Sequence, residues 1–222
     1  MIYKTYIKRG IDIVFSLLAI VALSPLLLLV AAVVRVQMGK PILFSQERIG
    51  KDEKIFRLYK FRSMTNAVDA QGRLLPDKLR LTKFGVLLRS SSLDELPELF
   101  MILKGDMSFV GPRPQPKRCG PFYTPQERRA HTVRGGLVPP DCLSRRVQCD
   151  WDTQLRHEAD YADNCSFLLD MKILLCSVVV LHKRLHCNYG VDNRPELYEY
   201  RANMEIPEAV KKEWEAKGVT VE

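Results

Sequence analysis

The sequence predicts a mixed, mainly α-helical fold with one short β-hairpin, held at a membrane by a re-entrant helix-break-helix and by amphipathic surface helices. Three observations predict it. No charged residue occurs from Ile13 to Val34, and Ser24-Pro25 sits at the middle of that apolar run. Two short alternating stretches, Pro41 to Ser45 and Lys54 to Tyr59, flank a Gly50-Lys51-Asp52 turn. Further along, apolar residues recur at steps of three and four, most clearly in Leu93, Leu96, Leu99, Phe100 and Leu103.

The 222 residues are 46% apolar and 27% charged, enough to bury a core, and suit one domain with appendages. The chain divides into a membrane hairpin (1–40), a main domain (41–187) and a polar C-terminal tail (188–222) with room for a short helix. A net charge of +8 suits an anionic partner. No nucleic-acid-binding signature accompanies that charge, which favours phosphates or phospholipid headgroups. The six cysteines form no C-x-x-C pair, which disfavours a zinc site or a thioredoxin-like motif and points to free thiols in a reducing compartment. His182, His186 and Cys187 read as packing or solvated groups at a helix end.

At about 1.5 Å per residue the Ile13–Val34 run is long enough to cross a hydrocarbon core. Pro25 removes an intrahelical bond there and crowds the preceding turn. Lys4, Lys8 and Arg9 precede the run, and Arg35, Lys40 and Arg48 follow it, so both flanks are basic. Basic flanks stay on the cytoplasmic side. A helix that enters, breaks at Ser24-Pro25 and returns satisfies both demands, with the Ser24 hydroxyl a partner for freed backbone groups. A kinked helix that crosses once is the alternative. No small-residue cleavage site marks a signal peptide.

The hairpin delivers Lys60-Phe61-Arg62, two cations either side of a phenylalanine. Asn66 to Arg80 reads as a polar loop, and Leu81 to Arg89 as a short helix capped by Thr82. Ser92 followed three residues later by Glu95 fits a capping box, which predicts a helix N-terminus at Asp94-Glu95. Arg89 lies just before this pair, and Arg113 lies in a rigid Gly111-Pro112-Arg113-Pro114 turn beyond the helix. Helix N-termini flanked by arginines accommodate phosphate. An acidic pair there can hold Mg2+ or attack phosphorus; the plainer reading is a cap that favours the helix dipole. Beyond lie an irregular Gly135–Cys149 stretch, a polar helix from Trp151 to Tyr161 and an apolar helix from Phe167 to Leu185. The uncharged part of the last, Ile173–His182, is too short to span, so it reads as a core or membrane-surface helix. Pro207 to Lys217 can form a last helix with Val210 and Trp214 on one face.

Assembled, these pieces resemble the monotopic phosphoglycosyl transferases, the bacterial sugar transferase family that starts lipid-linked glycan assembly. The resemblance rests on the Ser24-Pro25 break, Lys54 to Met64, Arg89 to Gly111, Arg113-Pro114, Asp160 to Ser166 and Leu169 to Lys172. It implies a Mg2+-dependent enzyme on the cytoplasmic face of the bacterial inner membrane, which moves a phosphosugar from a UDP-sugar to polyprenol phosphate and releases UMP. By the same resemblance Asp94 is the nucleophile and Glu95 the Mg2+ ligand, while Lys60, Arg62, Arg89, Arg113 and Pro114 contact substrate. Family members usually carry Pro-Gly-Ile-Thr-Gly, Ala-Gln and Gly-Arg-Asn after the arginine at position 134; here the stretch reads Gly135-Gly136-Leu137-Val138-Pro139-Pro140-Asp141 and onward to Cys149. That departure puts donor or acceptor recognition in question. It leaves open a non-catalytic membrane paralogue that scaffolds glycan-assembly enzymes, and a nucleotide-sugar hydrolase using the same aspartate.

Overall fold

The structure, a computed structural model, describes residues 2–187 and 194–220; positions 188–193 and 221–222 of the predicted tail lie outside the described residues. A π-helical turn, Tyr3–Ile7, leads into α1 (Lys8–Met38). β1 (Leu43–Ile49) and β2 (Ile55–Phe61) form the expected antiparallel hairpin, with Leu43 opposite Phe61 and Ile49 opposite Ile55. A short α2 (Asp77–Arg80) precedes α3 (Lys83–Ser90), whose first turn is capped by Thr82 as expected: its Oγ1 accepts from the Gly85 amide at 2.9 Å. After α4 (Glu98–Lys104), β3 (Met107–Val110) pairs in parallel with β4 (Gly135–Val138). Then come α5 (Trp151–Asn164), α6 (Phe167–Leu185), α7 (Leu197–Tyr200) and α8 (Glu208–Ala216).

Helix α1 runs through Ser24-Pro25 as one element, where the sequence predicts a break. Pro25 lacks the N–H that would bond the Val21 carbonyl four residues back. The Ser24 hydroxyl donates to that same carbonyl at 2.8 Å, so the freed acceptor is satisfied without interrupting the helix. Among the described residues, Tyr3–Met38 is the one helical stretch long and apolar enough to cross a membrane.

The helix lies along the domain for its whole length. Near its start, Lys8 pairs with Asp170 of α6 at 2.5 Å, and Tyr161 donates to the same carboxylate at 2.6 Å. Arg9 donates to the Ile102 and Leu103 carbonyls at 2.6 and 2.8 Å, binding the start of α1 to the last turn of α4. Ala19, Ile20 and Leu23 pack on a cluster of Leu58, Leu99, Ile102 and Met107; Val30 and Val34 are buried with Phe61 and Leu88. The other face of α1 presents Phe15, Leu18, Val21 and Leu28 to the outside, and α6 presents Leu168, Leu175 and Val178. An exposed apolar surface of this extent marks an interaction site.

Two expectations change. The irregular stretch after Arg134 contains β4, because its glycines admit a backbone that a side chain would block. A Cβ on Gly136 would come within 2.0 Å of the Gly111 nitrogen. The C-terminal segment read as a polar tail is packed into the protein: Leu197, Trp214 and Val219 are buried with Ile49, Cys119, Tyr123, Trp151 and Leu155. Charged residues tie it down as well, since Glu53 receives both Arg128 at 2.6 Å and Lys217 at 2.8 Å. Few apolar residues sit among many polar ones here, and those few carry the packing.

Candidate active site

The predicted capping box is not formed. Ser92 adopts left-handed backbone angles (φ 57, ψ 18) and its side chain makes no cap bond. Leu93–Glu95 is a single 3₁₀ turn, and α4 begins only at Glu98 with Pro97 at its N-cap. Left-handed geometry at a non-glycine residue is strained. Ser92 thereby turns the chain so that Asp94 and Glu95 point into a cavity instead of along a helix axis. The Ser92 hydroxyl also meets Arg184 Nη1, at 3.5 Å, from the end of α6.

That cavity, about 530 Å3 in volume, is where Asp94, Glu95, Lys60, Arg62, Arg89 and Arg113 converge. β2 delivers Lys60, and Arg62 follows it. Arg89 comes from the last turn of α3, and its Nε donates to Ser63 Oγ at 2.9 Å. Arg113 is held from below, where its amide donates to the buried Glu158 carboxyl at 3.2 Å. Burial pushes that Glu158 carboxyl up to about 8. Pro114 is not among the cavity-lining residues; its carbonyl accepts from Arg48 Nη1 at 2.9 Å and so fixes a cation that does line it. Ser24 and Pro25 belong to α1, away from this lining.

Electrostatics separates the two adjacent carboxylates. Burial pushes Asp94 up to about 6, and the neighbouring Glu95 charge adds to the effect. Burial acts on Glu95 too, but Lys60 and Arg113 overcome it and hold the carboxyl down to about 2. The Lys60 ammonium lies 2.6 Å from Glu95 Oε1 and 3.1 Å from Glu98 Oε1; Arg113 Nη2 lies 3.4 Å from Glu95 Oε1. Glu98, which the sequence reading passes over, is buried, and its carboxyl is pushed up to about 7 mainly by that burial.

Other residues escape motif reading. Arg48 and Arg80 from one side, and Asp141, Gln148, Arg184, Arg194 and Glu196 from another, also line the cavity. Cations there outnumber carboxylates. Arg62 is only 6% exposed, and its Nε and Nη1 have no hydrogen-bond partner among the described residues. Buried guanidinium groups of this kind suit a ligand carrying several phosphate oxygens.

Comparison with known proteins gives concordant results. The sequence profile described as bacterial sugar transferase matches residues 3–184. The chain is 42% identical over 172 residues to the sugar transferase EpsL of Bacillus subtilis (strain 168), whose activity is uncharacterised, covering 78% of this chain and 85% of EpsL. It is 35% identical over 185 residues to a UDP-N-acetylgalactosamine-undecaprenyl-phosphate N-acetylgalactosaminephosphotransferase of Aeromonas hydrophila, covering 78% of this chain but 43% of that protein. It is 45% identical over 181 residues to a UDP-glucose:undecaprenyl-phosphate glucose-1-phosphate transferase of Klebsiella pneumoniae, covering 77% of this chain and 39% of the relative.

Proposed function

This chain belongs to the bacterial sugar transferase family, and from that premise we propose that it moves a phosphosugar from a UDP-sugar to polyprenol phosphate through an aspartyl-phosphosugar intermediate, releasing UMP. The observation that carries the reading is the pair of unlike carboxylates at one end of a cation-lined cavity. Asp94 is the group available as a nucleophile, while Glu95 is held ionised by Lys60 and Arg113. The Asp94 oxygen attacks the sugar-bearing phosphorus; the new O–P bond forms as the bond to the UMP oxygen breaks, and the electron pair leaves on UMP. An oxygen of polyprenol phosphate then attacks the same phosphorus and returns the carboxylate. Lys60, Arg62, Arg89 and Arg113 offset phosphate charge throughout.

Mg2+ fits this donor set. Asp94 and Glu95 are adjacent carboxylates that line one cavity together with the phosphate-suited cations. Mg2+ commonly takes one or two carboxylates and completes its shell with water and substrate phosphates. When bound, it would neutralise pyrophosphate charge, with Glu95 its principal protein ligand.

We place the enzyme on the cytoplasmic face of the bacterial inner membrane, with α1 bent at Pro25 so that both of its ends stay at the same leaflet. Basic flanks at both ends support that topology, as do contacts from both halves of α1 to one domain. The apolar faces of α1 and α6 would meet membrane phospholipid. Single cysteines placed before Ile7 and after Lys40 should label from the same side; labelling from opposite sides contradicts the topology.

UMP release with and without polyprenol phosphate tests the chemistry. Turnover that requires the acceptor, with about one equivalent released in its absence, is the expected result. Sustained release without acceptor indicates hydrolysis, and no release from any UDP-sugar indicates a scaffold. The pH dependence is a second check. Asp94 must lose its proton to attack, so kcat/KM for the donor should climb as pH passes about 6 and then level. A flat profile from about pH 5 to 8 contradicts the assignment.

A further inference from the structure

The segments in which this chain departs from, or outruns, its family meet at one wall of the cavity. Asp141 and Gln148 come from the substituted stretch, and Arg194 lies beyond residue 184, where the family match ends. Arg194 is firmly held: it donates to the Cys149 carbonyl and to Gln154 Oε1, and its guanidinium lies 3.6 Å from the centre of the Trp151 ring. Trp151 Nε1 in turn donates to the Pro195 carbonyl at 2.9 Å. Asp141 Oδ1 is buried with no partner among the described residues. A buried acceptor left unsatisfied is costly, and a ligand hydrogen-bond donor removes that cost.

We infer that Asp141 and Arg194 form a sugar-reading subsite, in which Asp141 accepts hydrogen bonds from pyranose hydroxyls or an acetamido N–H of the UDP-sugar and Arg194 holds that wall in position. The inference rests on the transferase reading above and deepens it. The wall suits a sugar better than the base. The aromatic residues lining the cavity, Phe44 and Phe61, both come from the β-hairpin, and a uracil ring needs such a stacking surface. The wall around Asp141 offers acceptors and amides instead. Its carboxylate selects a neutral sugar bearing hydrogen-bond donors over a uronic acid, whose own carboxylate it would repel. Burial holds the Arg194 guanidinium below the usual arginine range, and Asp141 is the foremost charge opposing that shift.

Titration calorimetry of the detergent-solubilised full chain separates sugar recognition from nucleotide recognition. The ligands are UMP and the best bound of UDP-glucose, UDP-galactose and their 2-acetamido counterparts. Asp141→Ala should weaken UDP-sugar binding about tenfold or more and leave UMP within about twofold, with Asp141→Asn intermediate. Arg194→Lys keeps the charge but loses the planar stack and two-point grip, and should show the same selective loss while melting close to wild type. Equal weakening of both ligands, or of neither, overturns the subsite. A wild-type protein that binds UDP-sugar more tightly than UMP but forms no covalent intermediate overturns the transferase reading and leaves the subsite standing.

Discussion

Asp94→Asn should abolish the covalent intermediate and UMP release together, with a fall in rate on the order of 10^4 or more, because an amide cannot replace a carboxylate nucleophile. Stability should move the other way. Burial raises the folded-state value of Asp94 from 3.8 to about 6, so the folded protein holds its proton more tightly than the unfolded chain does. The contribution of Asp94 is therefore most favourable below about 4 and is lost as pH rises through about 6. Asn removes a charge that burial opposes, and no cap bond goes with it, since the 3₁₀ turn is not capped by a side chain. At pH 7.5 the variant should melt at or above wild type. A variant that melts well below wild type would mean lost activity reflects damage to the fold.

Lys60→Met should be damaging in both respects. It leaves Glu95 and Glu98, both buried carboxyls, without the ammonium that contacts them at 2.6 and 3.1 Å. Breaking a buried pair from one side costs about 3–5 kcal/mol, which corresponds to a melting temperature lower by roughly 10 °C for a chain of this size. UMP release should fall by about a hundredfold or more as phosphate neutralisation weakens. The pH dependence identifies the cause. Without Lys60 the carboxyls take up protons more readily, so the melting deficit should shrink from pH 7.5 to pH 5. Glu98→Gln in the Lys60→Met background should recover part of the stability and none of the activity. A deficit independent of pH would show that Lys60 matters through packing of its stem.

The legibility of this molecule in its sequence follows from how local each signal is. The hairpin, the Thr82 cap and α6 are set by alternation, a capping side chain and helical periodicity within a few residues, and they form as expected. Asp94, Glu95, Arg89 and Arg113 lie within one short motif and do meet in one cavity. The helix start was misplaced because a Ser-x-x-Glu spacing says nothing of Ser92's left-handed backbone, which tertiary packing imposes. β4 was missed because Gly135-Gly136 has little strand preference of its own; it pairs with β3 because only glycine admits so close an approach. The interruption predicted at Ser24-Pro25 takes the form of a proline carried inside one helix, because the Ser24 hydroxyl takes up the carbonyl that Pro25 leaves free. Trp214 lies on the helix face that periodicity predicts, but its packing against Cys119 and Tyr123 has no local signal, and Arg194 has none at all, since it acts through Cys149, 45 residues away.

The most direct measurement is the intact mass of the purified wild-type chain after incubation with a UDP-sugar and Mg2+ in the absence of polyprenol phosphate, followed by peptide mapping. The expected result is a phosphosugar adduct on the peptide containing Asp94, stoichiometric with UMP released and discharged on adding polyprenol phosphate. UMP release under the same conditions with unmodified protein, or with the adduct on any other residue, would contradict the mechanism.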